Sequence, residues 1–237
     1  AWCSGPEDIS PPEYFWGYNR MTSVEGLFGA GDAVGGTPHA FSSGSFTEGR
    51  LAAKAACKYI DDGKGEGIVV SEAQINRRKE EIYKPLEHYR IYRNAIVAGD
   101  VNPHYINPKQ GLDRLQKLMD EYCGGATVNY MTNEKLLNIG LKKLAIMEED
   151  LENLAAKDVH ELLRAWELKH RHRAAECVTQ HTLFRKETRW PGYYYRGDAM
   201  KVDDENWHVL TVSRRDPKTG EYTMEKAPCY HLVADEA

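Results

Sequence analysis

The sequence lacks the features typical of metal centres, membrane helices and nucleic-acid surfaces. Its five cysteines are widely dispersed and none forms a Cys-x-x-Cys pair, so we expect no zinc or iron–sulfur ligation within this chain. No apolar run approaches the roughly 18 residues of a membrane-spanning helix. Acidic residues outnumber basic ones 36 to 31, which argues against a basic face for nucleic acid. An odd number of dispersed cysteines favours reduced thiols and a cytoplasmic protein.

Residues 1–67 are predicted to form part of an α/β domain. An irregular, aromatic-rich lead-in precedes the segment 24–28, which is apolar enough for a short strand and runs into a glycine turn. A helix should follow, capped by Ser43 or Ser45. Its apolar positions recur every three or four residues: Leu51, Ala52, Ala55, Ala56 and Tyr59. Three closely spaced glycines then mark a linker.

Residues 68–187 are predicted to form an antiparallel helical domain. Four helix starts carry a capping residue, and these are Ser71, Asn107, Asn133 and Asp158. The spacing of apolar residues predicts that the inner side of the last helix is formed by Val159, Leu162, Leu163 and Trp166. The charged run 169–173, which includes His172, is interpreted as a solvated face.

Residues 188–237 are predicted to form an irregular extension that ends in a β-hairpin. The helical pattern stops at Thr188, and an aromatic segment follows at 190–195. The strands 209–212 and 221–224 flank a turn rich in Pro and Gly. The predicted fold class is therefore α+β and mostly α.

The segment 29–46 carries the residues best suited to a ligand. Gly29-x-Gly31 invites comparison with a dinucleotide-binding loop, but the third glycine is one position late and Asp32 would repel a pyrophosphate. A carboxylate at this place is better suited to accept hydrogen bonds from sugar or ribityl hydroxyls. The serine-rich segment 42–45 opens a helix whose free N–H groups favour negative charge, such as that on the pyrimidine edge of a reduced flavin.

Each of these features also has an ordinary structural interpretation. Glycine turns between a strand and a helix are common in α/β proteins without any ligand. His39 could be a hydrogen-bonded loop histidine rather than an acid, and Phe41 could be a core residue rather than a stacking platform. Single residues therefore leave both interpretations open.

The order of these residues resembles the second flavin-binding segment of the fumarate reductase and succinate dehydrogenase flavoprotein superfamily. In that superfamily a Gly-Glu or Gly-Asp pair holds the FAD ribityl chain, and an Asn-Ser-Leu stretch places amides at the flavin carbonyl. The positions that the resemblance assigns to FAD here are Gly31, Asp32, Ser43, Gly44, Ser45 and Phe46. A second landmark agrees, because segments 185–189 and 203–207 are similar to the Arg-Lys-Glu-Ser-Arg and Asp-Asp-Glu-Asn-Trp pair that ends those subunits.

Within the superfamily, the sequence resembles the alpha subunits of dissimilatory adenylylsulfate reductases over essentially the whole chain. The segments that carry this resemblance are 4–8, 41–45, 100–108 and 188–194. It implies a flavoprotein oxidoreductase that reversibly reduces adenosine 5′-phosphosulfate (APS) to AMP and sulfite on FAD. It also implies a heterodimer with an iron–sulfur beta subunit, which would hold the clusters, and no metal in this chain.

One departure distinguishes this sequence from the succinate and fumarate enzymes. Those enzymes place a substrate arginine in a His-Gly-Ala-Asn-Arg run, whereas alignment on Ser45 puts His39 and Ala40 in the Asn-Arg places. A methyl group cannot replace a bidentate arginine, so no dicarboxylate clamp is expected there. Phe41 is instead suited to stack on the adenine of the substrate. His39 is the candidate catalytic residue, as a donor to a sulfite or phosphosulfate oxygen.

The family's ADP-binding glycine loop and its substrate arginines have no counterpart in this sequence. The resemblance therefore implies a C-terminal fragment, inactive alone, whose first domain is the end of an FAD-binding domain. Two other functions stay open, namely a dicarboxylate or L-aspartate oxidoreductase of the same superfamily and a non-enzymatic helical interaction module. The family interpretation further expects the tail to be held on the flavin domain by Arg185, Arg189 and Arg196.

Overall fold

The computed structural model describes residues 2–34, 41–95 and 101–229. The chain forms two compact units, of which the first ends at Ser71 and the second begins at Glu72. The second unit contains both the predicted helical region and the described part of the C-terminal extension. Helices, with the 3-10 turns included, make up 52% of the described residues, which confirms the expectation of a mostly α fold.

The first unit begins with an irregular segment that is held by backbone hydrogen bonds. Ser4 N donates to Met21 O at 2.8 Å, and the Trp16 indole N–H lies 3.0 Å from both Met21 O and Thr22 O. A 3-10 turn covers Pro12–Tyr14. The lead-in is therefore ordered although it has no periodic pattern, because several of its carbonyls, among them Ser4 O, Tyr14 O and Met21 O, accept backbone hydrogen bonds.

The predicted strand at 24–28 is wrong. Leu27 N donates to Val24 O at 3.1 Å, and Gly26 has a positive φ of 77°, so the chain turns here. Among the described residues, Phe28 makes only an isolated bridge with Met21. An apolar run becomes a strand only where a neighbouring strand accepts its hydrogen bonds, and the described part of this unit offers none to segment 24–28.

Helix α1 (Ser42–Asp61) follows the glycine turn, as predicted. Its capping residue is Phe41, which provides no side-chain hydrogen bond, so Ser43 and Ser45 lie inside the helix rather than capping it. The predicted apolar face is confirmed, since Ala52 and Ala55 are buried. The ring of Tyr59 packs edge-on against Tyr18 and Phe28, with centroids 5.1 and 6.0 Å apart.

The described part of the second unit contains five further α-helices: α2 (Glu72–Tyr92), α3 (Pro108–Tyr122), α4 (Glu134–Leu151), α5 (Val159–Phe184) and the short α6 (Asp204–Trp207). Helices α3, α4 and α5 pack against one another, and short connections make successive helices antiparallel. Their shared core is formed by Leu115, Leu118, Leu144, Met147, Leu151, Leu154, Ala165, Leu168 and Ala175. Among the described residues, no helix has both the length and the hydropathy to cross a membrane.

The predicted helix caps are confirmed at three starts. Asn107 and Gln110 form a complete capping box at α3. Asn133 accepts from Leu136 N at 2.9 Å, and Asp158 accepts from two backbone amides at 2.9 and 3.0 Å. Each cap satisfies amides that the first turn of a helix leaves without partners.

The inner face of α5 differs from the predicted one. Val159 and Leu163 are 64% and 59% exposed, whereas the buried positions are Leu162, Ala165, Leu168, His172, Ala175 and Thr179. His172 was predicted to be solvated, but it is buried and its Nε2 lies 2.8 Å from Leu144 O. A histidine can occupy a core position when a carbonyl satisfies its ring nitrogen.

The described residues of the second unit also form two small two-stranded sheets. One strand lies between α3 and α4, and the other three follow α5. Strands β1 (Met131–Thr132) and β2 (Tyr195–Arg196) pair in parallel. Strands β3 (Val209–Arg215) and β4 (Tyr222–Pro228) form the predicted antiparallel hairpin. Asp216 accepts from Lys218 N and Thr219 N at 2.7 and 2.9 Å, which closes the turn between them.

Arg185, Arg189 and Arg196 were expected to hold the tail on the flavin domain, but the contacts described for them lie within the second unit. Arg196 is 1% exposed and donates to Thr182 O, Leu183 O and Arg185 O at the end of α5. Arg185 donates to Trp207 O and Val209 O. The described contacts of these arginines join the tail to α5 and to itself, because the open carbonyls at a helix end are strong acceptors for a cation.

Asp198 makes the stability of this unit sensitive to acid. The pKa of Asp198 is lowered from 3.8 to about 2, chiefly by hydrogen bonds from Arg196. Burial acts in the opposite direction, and the backbone amide of Glu134 adds a smaller lowering effect. A depressed carboxyl pKa stabilises the folded state above pH 3.8 and this contribution is lost as the pH falls towards 2. We expect ionised Asp198 to contribute at most about 2 kcal/mol to the free energy of unfolding. Solvent screening reduces this contribution, because the Asp198 side chain is 33% exposed.

Urea unfolding of the chain between pH 6 and pH 3 tests this expectation. The difference in unfolding free energy between the natural sequence and Asp198→Asn should shrink as the pH falls below 4. A difference that stays constant over this range would show that the ionised carboxylate adds nothing.

Candidate functional site

The predicted site is built from a glycine turn that lies against the start of α1. Residues Gly31–Ala33 form a 3-10 turn in which Gly31 is buried and has φ +61°. A Cβ atom at Gly31 would lie 3.3 Å from Ser45 Oγ. Only glycine combines this left-handed backbone with so close an approach, so Gly31 is what allows the turn to touch the first turn of α1.

Asp32 is the charged residue of this turn. Its side chain is exposed, and within the described parts of the chain it takes part in no hydrogen bond or ion pair. A carboxylate next to a helix start normally finds a donor, so Asp32 is in a state to accept hydrogen bonds from a ligand.

The first turn of α1 supplies backbone donors. The first hydrogen bond of the helix runs from Ser45 N to Phe41 O at 3.0 Å. The amides of Ser42, Ser43 and Gly44 precede this bond and have no acceptor among the described residues. The Ser45 amide is already used within the helix, so the three amides before it are the backbone donors available to a ligand.

Two aromatic side chains flank these donors. Phe41 is 72% exposed and Phe46 is 81% exposed, so neither belongs to the core of the described unit. Exposed aromatic rings beside unpaired donors suit a planar ligand, because one group binds its face and the other its polar edge.

His39 and Ala40 lie outside the described residues. The proposed catalytic role of His39 stays a prediction. The described structure therefore brings together the Gly31–Asp32 turn and residues 41–46 of the predicted site.

Sequence reasoning missed the pair formed by Arg20 and Glu48. Arg20 Nη2 donates to Glu48 Oε1 at 2.8 Å, and Arg20 Nε lies against Glu48 Oε2. Glu48 is 7% exposed on the α1 face that also carries Ala52 and Ala55. A charged residue on an apolar helix face is a signal that could have predicted a buried partner, but nothing in the irregular lead-in pointed to Arg20.

Comparison with known proteins gives a family match over the C-terminal half. Residues 112–233 match the family model described as fumarate reductase flavoprotein C-term. The described residues contain no group of three or more His, Cys, Asp or Glu that could hold a metal ion.

The sequence is also similar to individual proteins over its full length. It is 40% identical to the adenylylsulfate reductase subunit alpha of Megalodesulfovibrio gigas, covering 100% of this chain and 36% of that protein. The structure is similar to that of adenylylsulfate reductase from Archaeoglobus fulgidus, with a TM-score of 0.93, 50% identity, and coverage of 100% of this chain and 37% of that one.

A second solved structure agrees with the first. It is an adenosine-5-phosphosulfate reductase in complex with sulfite as a covalent adduct, with a TM-score of 0.93, 49% identity, and coverage of 100% of this chain and 37% of that one. The resemblance predicted from the sequence is confirmed, and the chain spans about a third of the length of the relatives it matches.

Proposed function

We propose that this chain, because it belongs to the fumarate reductase flavoprotein C-terminal family, is part of a flavin-dependent oxidoreductase. The reaction that its similarities favour is the reversible two-electron reduction of APS to AMP and sulfite on FAD. The support is the similarity to adenylylsulfate reductases over the whole chain, at 40% to 50% identity. FAD, when bound, would supply the two-electron chemistry, and the residues of this chain would bind and orient it.

The observation that carries the proposal is the contact between Gly31 and Ser45. Through this contact an exposed carboxylate, Asp32, and the donors at the start of α1 belong to one site. The donor set fits a flavin, since Asp32 can accept from ribityl hydroxyls and the amides of Ser42, Ser43 and Gly44 can donate to a pyrimidine edge that becomes negative on reduction. Ser45 and Phe46 would line the same site.

Substrate recognition is proposed for the two residues that come just before α1. Phe41 would stack on adenine, and its exposure leaves one ring face accessible. His39 would donate a hydrogen bond to an oxygen of sulfite or of the phosphosulfate group. Neither role requires a metal ligand from this chain.

The proposed partner is an iron–sulfur beta subunit that delivers electrons to the flavin, in a cytoplasmic heterodimer. The first unit exposes several large apolar side chains that a larger assembly could cover, among them Ile60, Ile68 and Val69. No observation favours a dicarboxylate or L-aspartate oxidoreductase over this proposal. A purely helical interaction module is less supported, because the loop residues form a contiguous donor and acceptor site.

Replacing Asp32 with alanine in the flavin-loaded enzyme tests the proposal. We expect the FAD dissociation constant to rise about 10- to 100-fold, because the ribityl hydroxyls lose a charged acceptor. Flavin fluorescence during dilution measures this constant. Asp8→Ala, which removes an exposed acid of the same unit, is the matched control and should leave FAD binding unchanged. An Asp32→Ala enzyme that keeps its full flavin content would contradict the assignment.

Phe41→Ala in the same flavin-loaded enzyme tests whether Phe41 binds the nucleotide substrate rather than the flavin. The variant should weaken AMP binding more than sulfite binding, because only the nucleotide has a ring to stack. Equal losses for AMP and sulfite would remove adenine stacking as the role of Phe41.

A further inference from the structure

Arg20 has an unusual backbone for an arginine. Its φ is +64°, in the left-handed region that non-glycine residues seldom adopt. The conformation is held by two backbone bonds of 2.9 Å, from Arg20 N to Ser4 O and from Gly29 N to Arg20 O. Such backbone outliers persist only where the surroundings enforce them, and they are concentrated at functional sites.

The two ends of Arg20 reach the two halves of the proposed flavin site. Its carbonyl accepts from Gly29, two residues before Gly31. Its guanidinium makes a two-point contact with Glu48, which lies one turn after the first residues of α1. The side chains of this pair are only 20% and 10% exposed, so solvent screens the contact little.

We propose that Arg20 is a positioning residue that sets the spacing between the Gly31–Asp32 turn and the donors at the start of α1. This inference rests on the proposed flavin-binding function. Arg20 itself does not need to touch the flavin, since the contact between Gly31 and Ser45 transmits the spacing. Glu48 is the second residue of this positioning pair, because it anchors the Arg20 guanidinium to helix α1.

The geometry also explains why the residue is an arginine. A planar guanidinium can bind both oxygens of Glu48 at once, which defines the direction of the side chain as well as its distance. A lysine ammonium makes one contact and leaves the orientation free. Glycine at position 20 would adopt the same backbone more easily, but it would leave the buried Glu48 without its cation.

The test uses the flavin-loaded enzyme that contains this chain, with Arg20→Gln, Glu48→Gln, the double variant, Arg20→Lys, and Lys58→Gln as control. Lys58 lies on the same helix in an exposed ion pair with Asp62. The measurements are the FAD dissociation constant, the FAD midpoint potential and the melting temperature of the holoenzyme.

We expect each single Gln variant to weaken FAD binding about tenfold, since a charge-assisted contact that orders the site is lost. The double variant should be no worse than either single one, because the two residues act as one pair. The midpoint potential should become more negative, because misplaced amides stabilise the reduced anion less well. Arg20→Lys should recover part of both effects, and Lys58→Gln should show neither.

Two results would overturn the proposal. One is a lower melting temperature with an unchanged potential and FAD affinity, which would make the pair merely structural. The other is a double variant whose loss of affinity is the product of the two single losses. In either case Asp32→Ala still reports on the proposed function, because it acts on the ligand directly; loss of FAD in Asp32→Ala with no effect at Arg20 would keep the function and reject this inference.

Discussion

Replacing Arg196 with alanine is expected to lower the free energy of unfolding of this chain by about 3–5 kcal/mol. Arg196 is almost fully buried, and its guanidinium bonds to three carbonyls at the end of α5 and to both oxygens of Asp198. Alanine would leave those carbonyls without donors and Asp198 without its cation. Each of these groups is costly to bury without a partner.

The destabilisation can be measured by urea unfolding followed by circular dichroism. Lys186→Ala is the control, because Lys186 makes an exposed ion pair with Glu134 at 3.6 Å and should contribute less than about 1 kcal/mol. Arg196→Lys should recover only part of the stability, since one ammonium cannot reach all five acceptors. If Arg196→Ala unfolded at the same urea concentration as Lys186→Ala, the tail would not depend on this contact.

The second large effect is expected for Glu187→Gln, which removes a charge and little volume. Glu187 is fully buried and accepts from Arg185, from Arg189 and from the backbone amide of Asp203. Burial raises the pKa of Glu187, but the hydrogen bonds from Arg189, Asp203 and Arg185 lower it more, so the carboxylate is ionised in the fold. Glutamine would leave Arg185 without a counter-ion and Arg189 with only the exposed carboxylate of Asp204, at a cost of roughly 3 kcal/mol.

Thermal unfolding of Glu187→Gln beside Glu121→Gln tests this expectation. Glu121 belongs to an exposed i,i+4 ion pair with Lys117, which should contribute less than about 0.5 kcal/mol. Added salt distinguishes the two interactions further. It should weaken the exposed Lys117–Glu121 pair and leave the buried network around Glu187 nearly unchanged. A melting temperature of Glu187→Gln equal to that of the control would show that desolvation cancels the whole network.

The sequence predicted local features well where a few neighbouring residues decide the structure. Asn107, Asn133 and Asp158 cap helices at the predicted places, and the hairpin forms around the predicted turn. These signals act over three or four residues, so no distant contact can easily change them. Asp32 and the serine-rich helix start are also close in sequence, but their role in binding a flavin stays a prediction.

Predictions failed where a distant partner decides the outcome. The segment 24–28 turns because the described residues offer it no neighbouring strand, and His172 is buried because Leu144 O satisfies its ring nitrogen. On α5, Val159 and Leu163 are exposed because the neighbouring helices meet the other side of that helix. A periodic pattern predicts that a helix has an inner face, but the packing of its neighbours selects which of two adjacent stripes is buried.

The amino-acid sequence by itself determined the starts of α3, α4 and α5, the hairpin, the mostly α composition and the acidic turn followed by a serine-rich helix start. Only the tertiary structure decided that Gly31 touches Ser45, that Arg20 pairs with Glu48 and that Arg196 binds the end of α5. The physical reason is the range of the interactions. Caps and turns are satisfied by atoms a few residues away, whereas a buried cation finds its acceptors only after distant segments have come together.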